Sequence, residues 1–420
     1  MTELRRNLSL FDATALAIGA IVGAGIFVIS GVAAGLAGPA VILAIIIAGI
    51  VSSFTAYSFV RLSSKIAEEG GPYVYAKIVI SPFIGFITGW LWLFANIVAG
   101  ATVSLGLASY VSSLLPVIPI VPIAISSILI LVILNIVGIK QSSIFNAVLV
   151  ILKLSALALF IVIGFSHLNF SLYEPFSPNG IKGVLSSAAL IFFAYTGFGR
   201  PATAAEEIKD PKHTVPRSIV LALVLSSIVY ILVGIVSTGL IPYQKVANSG
   251  SPITDAIEYG IKIYWLKIFV SFAAIVATVS VLLTTIIGVS RVSFAMARDN
   301  LLPKVFSKMH KKFSTPYLAI LITGIVMAIL PLFGNLKQTA NVTNFGSLLV
   351  YAIVNFTAMI MIIKDPQKFR RYLAIIPVLG LVSCTALLYF LAPISWMVGI
   401  SWIVVGCIYY ATIRRHQKMS

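Results

Sequence analysis

Apolar residues run along this chain in long blocks broken by short polar stretches. About twelve blocks reach the length of roughly 20 residues that a helix needs to cross a bilayer. They run 12–34, 39–60, 82–113, 117–139, 143–164, 184–205, 218–240, 263–295, 316–333, 343–363, 372–391 and 393–413. The third and eighth are long enough to predict tilted helices. Merging the last two across Pro393 gives an alternative count of eleven. The stretch around 70–80 is short and amphipathic, which predicts a helix lying at the membrane surface. The expected fold is an all-α membrane protein forming one transmembrane domain.

Composition agrees with this pattern. Of 420 residues, 60% are hydrophobic and 10% are charged, against about 45–50% and 25% in soluble domains. The excess apolar surface has to face lipid. A net charge of +17 first suggests nucleic acid. The basic residues sit in short loops between blocks, however, so a nucleic-acid partner is not expected. With the N-terminus in the cytoplasm, 21 of the 29 Lys and Arg fall in cytoplasmic segments and five outside. Lys153, Arg200 and Arg291 lie within or beside spans. The expected topology is multi-pass, in the plasma membrane, with both termini cytoplasmic. The apolar run after Arg5 and Arg6 is too long for a cleavable leader and reads as the first span. Cys384 and Cys407 have no metal-ligand spacing, so no metal or cofactor is expected.

Candidate chemistry lies where spans are interrupted. The first carries Gly19-Ala20-Ile21-Val22-Gly23-Ala24-Gly25-Ile26-Phe27. A glycine-weakened turn inside hydrocarbon is tolerated where it lines a cavity or is buried in protein. The half-helix beginning there points a positive end at an anion such as a carboxylate. Gly19 and Gly23 also have the spacing of a helix-packing surface, which stays open as a reading. The sixth span carries Phe192-Phe193-Ala194-Tyr195-Thr196-Gly197-Phe198-Gly199-Arg200-Pro201, whose freed carbonyls suit an ammonium group. Two broken helices five spans apart fit an inverted five-plus-five repeat.

Lys153 lies ten residues after Ser143 and eleven before Gly164. That is about 15 Å from either end of its span, where an ammonium costs about 2.5–3.5 kcal/mol. None of the 12 acidic residues falls in the middle of a span. Lys153 is therefore expected to face carbonyls of the broken first helix and to exchange a proton near neutral pH. Snorkelling to an interface is the competing reading, disfavoured by its depth. Asn96, Thr284 and Thr285 are possible cavity-lining residues. For Arg200 and Arg291, contacts with Glu206, Glu207 or Asp299 are expected. The four histidines, His167, His213, His310 and His416, fall in loops or the tail, so enzyme chemistry at depth is not expected.

These blocks resemble the amino acid–polyamine–organocation superfamily of permeases over nearly the whole chain. The likeness rests on Gly23-Ala24-Gly25-Ile26-Phe27 and on Phe192 to Phe198 followed by Ala205-Glu206-Glu207-Ile208-Lys209-Asp210-Pro211. A third block runs from Ser290 to Pro303 and closes with Thr315-Pro316. The resemblance implies a LeuT-like fold, with inverted repeats in 12–164 and 184–363 and two peripheral helices in 372–413. It implies an amino acid substrate, its carboxylate surrounded by Val22, Gly23, Ala24, Gly25 and Ile26. Ala194, Tyr195 and Gly197 would offer carbonyls to the amine, with Phe193 as an aromatic lid. Lys153 matches the place where sodium-independent members carry a lysine in place of sodium, which implies proton symport. The chain departs from many relatives at Gly199, where they carry a glutamate. Without that carboxylate a neutral amino acid is expected, with an uncoupled amino acid or polyamine exchanger or facilitator as the alternative.

Overall fold

The computed structural model describes residues 8–66, 70–138, 143–203, 208–364 and 371–419. Glu206 and Glu207 lie outside them. The described residues are helical and contain no strand, with one isolated bridge between Leu8 and Ile208. Among the described residues, ten helical stretches are long and apolar enough to cross a membrane. The first, Leu10–Ser63, has 54 residues and is not one rod. It comprises α1 (Leu10–Ile21), a π-helical turn Gly25–Ile29, α2 (Ser30–Ala37) and α3 (Val41–Ser63). The chain turns between α2 and α3 at Gly38, whose φ is 65°.

Local chemistry sets many ends. Ser9 and Asp12 form a reciprocal capping box at the start of α1. The short α4 (Pro72–Val79) buries Tyr73, Val74, Tyr75 and Ala76. The Ser81 side chain caps α5 (Pro82–Leu114). Gly138, in the left-handed region, ends α6 (Ile120–Val137). Next come α7 (Ser143–Phe165) and α8 (Gly180–Ile191), a 3-10 stretch Phe192–Gly199, and α9 (Arg200–Thr203).

α10 (Pro211–Leu240) begins seven residues before the apolar block, and α15 (Leu336–Lys364) also begins seven early. Their first turns carry Lys212, His213 and Arg217, and Lys337, Gln338 and Asn341. Such polar ends read as loop in a hydropathy pattern. The segment between α10 and α13 (Tyr264–Arg298) holds α11 (Tyr243–Asn248) and α12 (Pro252–Ala256). α14 (Tyr317–Ile329) is short and continues as 3-10 helix to Leu332.

α5 and α13, the longest helices, pack together at the centre, and α15 also packs on α5. α1 sits among α7, α10 and the 3-10 stretch. α16 (Ile375–Tyr389) and α17 (Pro393–Met419) are peripheral and bury little of their surface. α17 is held to α5 by Trp90 and Trp402, stacked at 4.6 Å. Each indole N–H of the pair donates to the other residue's carbonyl. Ile130, Ile133, Val162, Val404 and Ile408 point outward, a face suited to hydrocarbon and not to water. The chain is a multi-pass membrane protein.

Candidate functional site

The two interruptions meet at the centre of the fold. At the first, Val22 is extended (φ −79°, ψ 95°) and the helix resumes as a π turn. At the second, eight residues follow 3-10 geometry. Both changes release carbonyls from the i→i−4 ladder, and buried carbonyls need partners.

Side chains from other helices supply them. The fully buried Lys153 on α7 donates from Nζ to the carbonyls of Gly19 (2.7 Å) and Val22 (2.8 Å). The fully buried Asn344 on α15 donates from Nδ2 to those of Ala189 and Leu190, both at 2.8 Å. Tyr230 on α10 touches both interruptions: its hydroxyl lies 2.8 Å from the carbonyl of Ile21 and 3.1 Å from that of Ala194. Tyr110 donates to Phe27 O (2.6 Å) and Tyr351 to Thr196 O (2.9 Å).

Glycine is required where the two segments touch. A Cβ on Gly25 would lie 2.3 Å from Ala194 Cα, and one on Gly197 2.3 Å from the carbonyl carbon of Ala20. Backbone meets backbone at both points, so neither neighbour can give way.

Beside this junction lies a cavity of about 90 Å³, room for several water-sized groups. Gly23, Ala24, Gly25, Phe193 and Gly197 line it, together with Asn96, Thr284 and Thr285. Val22, Ile26, Ala194 and Tyr195 do not line it; Tyr195 instead reaches away, its hydroxyl 3.3 Å from Ile45 O. Lys153 stands behind the first interruption, outside the lining.

Sequence reasoning did not single out Trp92, Thr343, Ser347 or Tyr351, which also line the cavity. Hydropathy gives a helix's extent but not its rotation. Asn344 and Tyr230 escaped for the same reason. Among the described residues, Arg200 is the one charged side chain of the lining and no carboxylate lines it. Arg200 and Trp92 also border a second cavity of about 330 Å³, lined by Arg291 and Arg298. At the end of α13, Asp299 accepts hydrogen bonds from Tyr73 and from Lys77 (2.7 Å), tying α4 in place.

A family model described as amino acid permease matches residues 8–413. The chain belongs to the amino acid permease family. This permease is 34% identical to a methylthioribose transporter of Bacillus subtilis (strain 168), covering all of this chain and 95% of that protein. It is 30% identical to a branched-chain amino acid permease of the same organism at the same coverage. It is 29% identical to a vacuolar cationic amino acid transporter of Arabidopsis thaliana, over 87% of this chain and 61% of that one. The permease is a transporter, not an enzyme.

Proposed function

We propose that this permease is a secondary active transporter that carries neutral L-amino acids across the plasma membrane by alternating access, in symport with protons. The observation that carries this reading is the pair of helix interruptions beside one cavity, each with its released carbonyls filled from another helix. Counting the bent first stretch as two crossings and Tyr317–Leu332 as one gives twelve. Within that count, Lys153 is on the fifth crossing and Asn344 on the tenth. An inverted five-plus-five repeat relates those two helices, so each repeat's fifth helix fills the carbonyls of its own broken first helix. The Lys and Arg distribution supports cytoplasmic termini.

In this reading the substrate carboxylate sits against the chain between Gly23 and Gly25, at the positive end of the resumed helix. The amine faces carbonyls near Gly197, and Phe193 closes over it. Among the described residues the lining holds no carboxylate, which disfavours a cationic substrate. Lys153 occupies the place of a sodium ion and carries the coupling proton, so its protonation biases the first interruption between two arrangements. The likeness to a methylthioribose transporter favours a second reading, in which the substrate is a neutral thiosugar.

Uptake into proteoliposomes tests both. Amino acid accumulation that an inward proton gradient drives supports symport; uptake indifferent to the gradient makes the protein an exchanger or facilitator. Uptake of methylthioribose with no amino acid competing would replace the first substrate reading with the second.

A further inference from the structure

The cavity holds a polar feature that recognition of a carboxylate and an amine leaves unused. Thr343 is 1% exposed and lines the cavity, yet its hydroxyl finds no hydrogen-bond partner among the described residues. Ser347, four residues on, lines the same cavity and likewise has no partner among the described residues. Four residues of α-helix rise about 6 Å, so both hydroxyls lie on one face of α15.

This is unusual for hydroxyls in membrane helices, which commonly bond back to the preceding turn. In this chain Thr284 and Thr285 both donate to Val281 O (2.9 and 2.8 Å), Thr102 to Val98 O (3.0 Å) and Thr357 to Ile353 O (2.6 Å). Other buried hydroxyls lack partners too, those of Ser52, Ser226, Ser293 and Ser395 among them. None of those four lines this cavity. An orphan buried hydroxyl is costly, and one on a residue that lines a ligand cavity has a partner at hand once a ligand fills the cavity.

We propose that Thr343 and Ser347 form a subsite for a hydroxyl group on the substrate, making this permease selective for hydroxylated neutral substrates over their apolar isosteres. This rests on the reading of the substrate as a neutral amino acid and names its class. Threonine and valine share a shape and differ by a hydroxyl for a methyl. A pocket built to hydrogen-bond a substrate hydroxyl rejects the analogue lacking it far more strongly than an apolar pocket separates the two.

The experiment compares unlabelled threonine and valine as competitors of radiolabelled threonine uptake, in the wild type and in a Thr343→Val/Ser347→Ala double variant. Threonine is expected to win by about tenfold or more in the wild type. The double variant should bring the ratio to about one, with a melting temperature no lower than that of the wild type. Equal competition in the wild type, or a preference that survives in the double variant, overturns the subsite. Competition by neither amino acid overturns the amino acid reading itself, and the two failures are thereby told apart.

Discussion

Replacing Lys153 with methionine removes an amine from behind the first interruption while keeping most of the side chain's length. Two effects oppose each other. The carbonyls of Gly19 and Val22 lose their partner, and each orphaned buried acceptor costs about 1–3 kcal/mol. Against this, the fold no longer hosts an ammonium at mid-membrane, worth about 2.5–3.5 kcal/mol. The sum ranges from a stabilisation of about 1.5 kcal/mol to a loss of about 3.5 kcal/mol, so the Lys153→Met protein should fold. Coupling should fail. A gradient of two pH units supplies about 2.7 kcal/mol per proton, roughly a hundredfold accumulation in a one-to-one symporter. Wild-type proteoliposomes should concentrate substrate when the gradient is imposed and release it when an ionophore collapses the gradient. The variant should only equilibrate. A variant that still accumulates substrate to the wild-type level under the same gradient would refute the assignment of the proton to Lys153.

Three further outcomes are expected. Gly25→Ala drives a Cβ to within 2.3 Å of the Ala194 backbone; the overpacking costs about 1–3 kcal/mol and should abolish substrate-induced thermal stabilisation, which intact binding would contradict. Asn344→Leu orphans the carbonyls of Ala189 and Leu190 at about 2–6 kcal/mol. It also removes an Oδ1 that has no partner among the described residues, an offset of about 1–3 kcal/mol. The net loss, up to about 5 kcal/mol, should lower the melting temperature, and an unchanged melt would count against the role of Asn344. Burial pushes the Asp299 carboxyl up, but hydrogen bonds from Lys77 and Tyr73 outweigh it and hold it below its ordinary value of 3.8. A depressed carboxyl stabilises the fold above its unfolded pKa and loses that contribution as pH falls through the folded one. The tie between α4 and α13 therefore holds at neutral pH and weakens only below about 3.8. With a third of Asp299 exposed it contributes no more than about 1 kcal/mol. Asp299→Asn should reproduce the weakening at pH 7 as faster hydrogen exchange in residues 72–79, and identical exchange would contradict it.

The spans were legible because lipid demands an unbroken apolar run, a signal that needs no partner to be read. α10 and α15 were read short because their first turns emerge among charged and amide groups. The interruptions were legible from Gly23, Gly25 and Gly197, and the depth of Lys153 from simple counting. What those features face was not legible. That Asn344 fills carbonyls 155 and 154 residues away, or that one Tyr230 hydroxyl reaches both interruptions, depends on how helices are rotated against each other. Gly25 and Gly197 illustrate the limit. The sequence marks them as weak points of a helix, yet their tightest constraint is contact with Ala194 and Ala20 on the opposing segment.

The lysine and the asparagine that fill carbonyls at the two interruptions differ in one electrical respect. An amide is neutral at every physiological voltage, whereas an ammonium halfway through the bilayer feels the field, at about 2.3 kcal/mol per charge for each 100 mV traversed. Under the proposed function, a shift of the protonated Lys153 along the membrane normal would therefore depend on voltage, whereas a shift of Asn344 would not.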